Sequence, residues 1–183
     1  ILAKALKREG VDELFFLMGG PMLAAEAATI NEGIRCIDVR HEQAAAMMAQ
    51  AYSRLQQRPG VCMAASGPAT INLSTGLANA LIDCCPVVAL GGAGPVSGYG
   101  RQVFQEIDQM EIMSGCVKYA ARVHDARRIP EMLNVAMQRA MSGKPGPVYL
   151  DLPGDVLYQM VDEDKIDWSP SERPILGARP PAP

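Results

Sequence analysis

The chain has 183 residues, 49% of them hydrophobic and 20% charged, a globular composition with length enough for one well-formed core. Its net charge of -3, with no Lys/Arg cluster, argues against a nucleic-acid partner held through phosphates. No apolar stretch reaches the roughly 18 residues of a membrane span, so no membrane role is expected. The five cysteines (Cys36, Cys62, Cys84, Cys85, Cys116) are scattered, odd in number and set in apolar surroundings. They read as reduced, buried thiols of a cytoplasmic protein, and without a second pair or histidines at ligand spacing no metal site is assigned.

In chain order, ILAKALKREG is helical from the start and carries neither an initiator Met nor a signal peptide. LFFLM (14–18) reads as a strand that ends at Gly19-Gly20-Pro21, and a helix of small residues follows to about Glu32. IRCIDV (34–39) is a second strand, leading into the helix of HEQAAAMMAQAYSR. That helix is apolar nearly all round, with a core face expected at Ala44, Ala45, Met48, Ala51, Tyr52 and Leu55 and with Ala46 and Met47 apolar beside it. Pro59-Gly60 breaks it; VCMAAS (61–66) is a strand running into the helical GPATINLSTGLANALI. PVVALGG (86–92) is a strand, followed by a Gly-rich loop to Gly100, a short helix from about Gln105 to Met113, and the strand CVKYAARV (116–123). ARRIPEMLNVAMQRAM is a helix with apolar residues at Ile129, Leu133, Val135, Ala136 and Ala140, close to a 3.6-residue period; VYLDLP is the last strand. The closing SPSERPILGARPPAP is Pro-rich and linker-like. Residues 1–160 are therefore expected to form one domain, with 161–183 a Pro-rich linker toward a missing middle domain of a longer protein. Trp168 in that tail suggests docking rather than catalysis.

Six near-continuous apolar strands alternating with helices predict an α/β fold: a doubly wound, mainly parallel six-stranded sheet with helices on both faces. Ligands of such sheets bind beyond the carboxyl ends of the strands. The residues to inspect are then Gly19-Gly20-Pro21, Arg40-His41-Glu42, Ser66-Gly67-Pro68, the loop 91–100 and Pro153-Gly154.

Glu42 has two readings. An acid in the first turn of a helix complements the macrodipole and needs no further role. A carboxylate at the start of a buried helix can also be tuned for proton work, with His41 as a partner or simply a cap. SGPATIN (66–72) opens a helix at a tight turn, with Pro68 near its first position; free N–H groups there could face a polar ligand edge. Neither it nor GGAGPVSGYG fits a phosphate-binding fingerprint. The latter is a surface loop or the lining of a substrate channel. Cys84-Cys85 reads as core, and Asp83 as a helix-end acid.

The order G-G-P, R-H-E-Q-A-A, P-G-V-C-x-x-x-S-G-P, F-Q-E and S-G-x-P-G-P-V-Y-L-D-L-P resembles the N-terminal pyrimidine-binding domain of thiamine diphosphate enzymes, from about Leu2 to Val156. It is most similar to the 2-hydroxyacyl-CoA lyase and oxalyl-CoA decarboxylase group, with acetolactate synthase and other carboligases close behind. The resemblance implies that Glu42 hydrogen-bonds N1′ of the aminopyrimidine and promotes formation of the C2 ylid. It implies that Pro21, Ser66, Pro68 and Asn72 line the pyrimidine side and that Phe104 and Gln105 face substrate. It further implies lyase, decarboxylase or carboligase chemistry at the C–C bond next to a carbonyl of 2-hydroxyacyl or 2-oxo substrates. The alternatives are an acetolactate synthase-like transferase or a non-catalytic binding module. The cofactors would be thiamine diphosphate and Mg²⁺, the metal held by a domain absent from this chain. The partner would be the C-terminal diphosphate-binding domain of a second subunit, in a homodimer or homotetramer. One departure is Ala69, where the family has the last Gly of S-G-P-G.

Overall fold

A computed structural model of the chain describes residues 1–169. Its elements are α1 (Leu2–Arg8), β1 (Glu13–Leu17), a 3₁₀ turn (Gly20–Met22), α2 (Leu23–Asn31), β2 (Arg35–Asp38), α3 (Glu42–Gln56) and β3 (Gly60–Ser66). There follow α4 (Pro68–Asn72), α5 (Ser74–Ile82), β4 (Val87–Ala93), α6 (Gln109–Ser114), β5 (Tyr119–Arg122), α7 (Ile129–Met141), β6 (Val148–Pro153) and α8 (Gly154–Leu157). All strand pairs are parallel, and the six-stranded sheet has the order β2-β1-β3-β4-β6-β5. The expected α/β architecture is thus the one formed.

Every residue of β3, β4 and β6 is buried, while the edge strands β2 and β5 are mostly half-buried. Each central strand is apolar without interruption because alternate residues serve two cores. Val61, Met63, Val88, Leu90, Val148 and Leu150 face a bulky layer completed by α1 and α7. Cys62, Ala64, Val87, Ala89 and Tyr149 face a second layer completed by α3 and α5. That second layer is built from small residues, so its helix approaches closely. A methyl at Gly60 would lie 2.0 Å from the Ala49 carbonyl oxygen, and one at Gly76 would lie 2.6 Å from Ala46 Cβ.

This close packing corrects the expected face of α3. Ala45, Ala46 and Ala49 are buried, together with Gln50 and Ser53, whereas Met48 and Ala51 are exposed and Leu55 is 82% exposed. Tyr52 and Ala44 sit half-buried at the border. The surface α3 meets has no room for large side chains, so alanines win the inward positions. The inward polar residues satisfy one another: Ser53 Oγ donates to Gln50 O at 2.8 Å, and Asn79 Nδ2 donates to Gln50 Oε1 at 2.8 Å. Gln50 Nε2 in turn donates to Asp83 at 2.8 Å, the acid that ends α5 as expected.

Other corrections are local. The helix expected from about Gln105 begins only at Gln109, because Gln102 and Gln105 take positive φ values (56° and 59°) in the loop before it. On α7, Ile129, Leu133, Ala136 and Ala140 are buried but Val135 only half-buried. Cys62 and Cys85 are buried free thiols, while Cys36, Cys84 and Cys116 are half-exposed. Of the expected 161–183 linker, residues 170–183 lie outside the described residues. Trp168 does dock: Arg8 Cζ lies 4.8 Å above its ring, and it packs on the first core layer. Among the described residues no helix is long and apolar enough to cross a membrane.

Candidate functional site

The chain adds β2 on one side of β1 and then crosses to add β3 on the other. The carboxyl ends of β1 and β3 therefore flank a crevice at a topological switch point. The turns after these strands and the first turn of α3 converge on this edge.

His41 occupies the N-cap of α3 in an extended conformation, and its Nδ1 accepts the N–H of Gln43 at 3.2 Å. The histidine is thereby a cap. Arg40 points outward and pairs with Asp38 at 2.6 Å, its side chain 91% exposed. Glu42 behaves differently from both. It is only 7% exposed, although it is an acid at the first helical position. Its Oε2 accepts a hydrogen bond from Asn72 Nδ2 at 2.9 Å, across from the last residue of α4. Among the described residues Oε1 has no hydrogen-bond donor. A buried carboxylate oxygen without a donor costs free energy unless a ligand supplies one.

The turn after β3 is shaped by Gly67, whose φ of 59° and ψ of -117° no L-residue adopts comfortably. Pro68 takes the first position of α4, where its missing N–H is harmless. Ser66 Oγ donates to Gln105 Oε1 at 2.7 Å, so the serine and the substrate-side glutamine of the resemblance do meet. Pro21 packs at the end of β4, with its Cγ 2.8 Å from where a methyl at Gly92 would stand. The methyl of half-buried Ala69 packs on this chain's own second core layer. Phe104 stands apart, 85% exposed at the loop's tip. The structure therefore joins Glu42 with Asn72, and Ser66 with Gln105, but gives Phe104 no such pairing.

The loop carrying Phe104 is ordered from within. Glu106 accepts the N–H of Val103 at 3.0 Å and, more tightly, that of Gly100, and the Gly100 bond holds its carboxyl below the ordinary range. Asp155 similarly gathers the N–H groups of Val96 (2.9 Å) and Ser97 (3.2 Å). The Gly-rich stretch after β4 is thus tied down, not loose.

Sequence reading missed one cluster altogether. Asp151, fully buried, accepts from Arg122 Nε, from Tyr149 Oη and from Gln109 Nε2, each at 2.5 Å. Burial first, then the Asp151 charge, push the Tyr149 phenol well above its usual pKa, so it stays a hydroxyl. One signal was available: an aspartate inside the apolar run VYLDLP must find a cation or several donors. Cys62, by contrast, is chemically quiet, since burial pushes its thiol up to about 12. Among the described residues no group of three or more His, Cys, Asp or Glu could hold a metal ion.

Comparison with known proteins agrees with this geometry. Residues 1–112 match the family described as thiamine pyrophosphate enzyme, N-terminal TPP binding domain. A 2-hydroxyacyl-CoA lyase from Arabidopsis thaliana is 35% identical over 97% of this chain and 32% of its own length. The acetolactate synthase isozyme 2 large subunit of Escherichia coli (strain K12) is 38% identical over 90% of the chain and 30% of its own length. A probable acetolactate synthase large subunit of Methanocaldococcus jannaschii is 40% identical over 90% and 28%, respectively. The chain spans a third or less of the length of these relatives. Six parallel strands in the order given, a buried glutamate at the switch-point edge, and a match over residues 1–112 place the chain in the family of N-terminal TPP binding domains of thiamine pyrophosphate enzymes.

Proposed function

We propose that this domain holds the aminopyrimidine half of thiamine diphosphate and that Glu42 handles a proton at N1′ of that ring. The observation that carries this reading is the half-satisfied carboxylate: one oxygen held by Asn72, the other buried with no donor among the described residues. A protonated ring nitrogen is the donor such an oxygen lacks, and the residues present fit the group. Asn72 sets the carboxylate's orientation through its 2.9 Å hydrogen bond. The helix start adds a favourable potential for the anion, while burial keeps water from competing for it.

When bound, the cofactor supplies an electron sink for cleavage or formation of the C–C bond beside a carbonyl. The residues of this chain do the rest of the work assigned to them here. Pro21, Ser66 and Pro68 shape the wall on the pyrimidine side, and Phe104 with Gln105 forms the substrate side. The substrates are 2-hydroxyacyl or 2-oxo compounds, in keeping with the lyase and synthase relatives. Mg²⁺ and the diphosphate belong to a C-terminal domain contributed by a second subunit, in a dimer or tetramer. The exposed Met47, Met48, Ala51 and Leu55 face of α3 suits such an interface. The isolated chain should accordingly show weak or no thiamine diphosphate binding by calorimetry, and tight binding would overturn the two-domain site.

The decisive experiment is Glu42→Gln in the full-length protein. Exchange of the thiazolium C2 proton for deuterium, followed by NMR after acid quench, should slow by about 10²-fold or more. Exchange at the wild-type rate would remove Glu42 from the chemistry.

A further inference from the structure

Gln109 lies outside the positions that the proposed cofactor site uses, yet it is 2% exposed and every polar atom of its carboxamide is engaged. Its Oε1 accepts the N–H of Gly67 at 2.9 Å. Its Nε2 has two hydrogens to share among three acceptors within hydrogen-bond distance: Gly92 O at 2.8 Å, Tyr149 Oη at 2.8 Å and Asp151 Oδ1 at 2.5 Å. One side chain thus joins the turn after β3, the end of β4 and the buried acid of β6. Only a group with both a donor and an acceptor can do this. A carboxylate would face Asp151 and a carbonyl, and an apolar side chain would orphan the Gly67 N–H and leave the Gly92 oxygen only its 3.4 Å bond from Thr70 Oγ1.

The turn it grips is also the seat of the substrate-side loop. The Gln105 carbonyl oxygen lies 2.3 Å from where a methyl on Gly67 would stand, and the Gln105 side chain receives the Ser66 hydroxyl proton bond at 2.7 Å. Gln105 holds a positive φ of 59°, a strained state for a non-glycine residue that its surroundings must enforce. Four residues on, Gln109 fixes the other side of the same turn. Behind Gln109 stands Asp151, itself held by Arg122, whose guanidinium lies 5.1 Å from the Tyr99 ring at the start of the loop. The loop from Tyr99 to Gln105 is therefore braced at both ends by contacts that lead back to the buried Gln109–Asp151 pair, although Tyr99 itself is exposed.

We propose that Gln109 is a positioning residue that, through Gly67 and the Asp151–Arg122 pair, sets the placement of the Phe104–Gln105 loop toward substrate. It touches no reacting atom and acts on substrate recognition rather than on cofactor activation. The inference rests on the proposed thiamine site, because it takes that loop to face the substrate.

The test uses the full-length enzyme with Gln109→Glu, Gln109→Met and the double variant Gln109→Glu/Asp151→Asn. The double variant restores a donor opposite the new carboxylate and keeps one negative charge beside Arg122. Turnover over a series of 2-hydroxyacyl and 2-oxo substrates is read as separate kcat and KM. C2-proton exchange of the bound cofactor is read in parallel. We expect kcat/KM to fall at least tenfold in both single variants, mainly through KM and unequally across the series. Exchange should stay within threefold of wild type, and the double variant should recover the part of the loss due to the carboxylate facing Asp151, the Gly92 oxygen still lacking its donor. Should Gln109→Glu fail to fold, a folded double variant with kcat/KM within tenfold of wild type supports the assignment, and a folded double variant with a larger loss opposes it. Unchanged kcat/KM in the single variants, or exchange lost in step with turnover, would overturn it. A wild-type enzyme without cofactor-dependent exchange would instead overturn the thiamine reading itself.

Discussion

Replacing Gly67 by alanine should damage the proposed site through two separable effects. The first is conformational: φ 59° with ψ -117° is a region that L side chains avoid, a strain of about 1–3 kcal/mol. The second is steric. The new methyl would sit 2.3 Å from the Gln105 carbonyl oxygen and 3.0 Å from Gln105 Cβ. An ordinary C···O contact is about 3.3 Å, so Gln105 must retreat by about 1 Å. Overpacking of this kind adds about 1–3 kcal/mol when the neighbour is backbone. A combined loss of about 2–6 kcal/mol in a domain of this size corresponds to a fall in Tm of roughly 4–24 °C. Gly33→Ala is the internal control, because Gly33 also has positive φ (74°) but nothing within 4 Å of its missing methyl. It should show the conformational part alone. The difference between the two melts, followed by circular dichroism on the isolated chain, measures the contact with Gln105 together with the extra strain of the Gly67 ψ of -117°. In the full-length protein a displacement of about 1 Å at the substrate-side loop should lower kcat/KM by about 10²-fold. If Gly67→Ala melts no lower than Gly33→Ala and turns over normally, the turn does not clamp the loop.

Two more outcomes test the packing and the charges. Ala49→Leu, directed at the Gly60 backbone, should destabilise the chain by about 1–3 kcal/mol, whereas Leu55→Ala on the exposed face should stay within about 0.5 kcal/mol in urea unfolding. Equal effects would mean that α3 presents a different face to the sheet. Burial, and then the Asp38 charge, raise the Glu26 pKa above its ordinary value of 4.5. The folded state therefore holds that proton more tightly than the unfolded chain, and stability falls as pH rises from 4.5 through the raised pKa and is level above it. Glu26→Gln should then raise Tm at pH 7 and leave it unchanged well below pH 4.5; the same gain at both pH values would refute the assignment.

Much of this was legible along the chain. Runs such as VCMAAS and PVVALGG, bounded by Gly and Pro, mark strands buried on both faces, and the alternation of such strands with helices leaves little choice but a parallel sheet. Glu42 at the carboxyl edge of that sheet was equally visible, because its place follows from local order alone. The inward face of α3 was not. Hydrophobicity favours Met48 and Leu55 for the core, yet Gly60 and Gly76 leave space only for Ala45, Ala46 and Ala49. The positive φ of Gln105 was hidden for a similar reason, since no local preference asks a glutamine to adopt it.

What the sequence by itself determined is the set of elements, their parallel order of use, and the acid placed at the ligand edge, since periodicity, Gly and Pro act over a few residues. What only the tertiary structure decided is which side chains complete one another across distance. Asn72 reaches Glu42 over 30 positions, and Gln109 reaches Gly67 over 42. Asp151 finds its guanidinium 29 positions back, on the neighbouring edge strand. Such partners are selected by the need to satisfy buried polar atoms once the sheet has brought them together, and no window of local sequence carries that information.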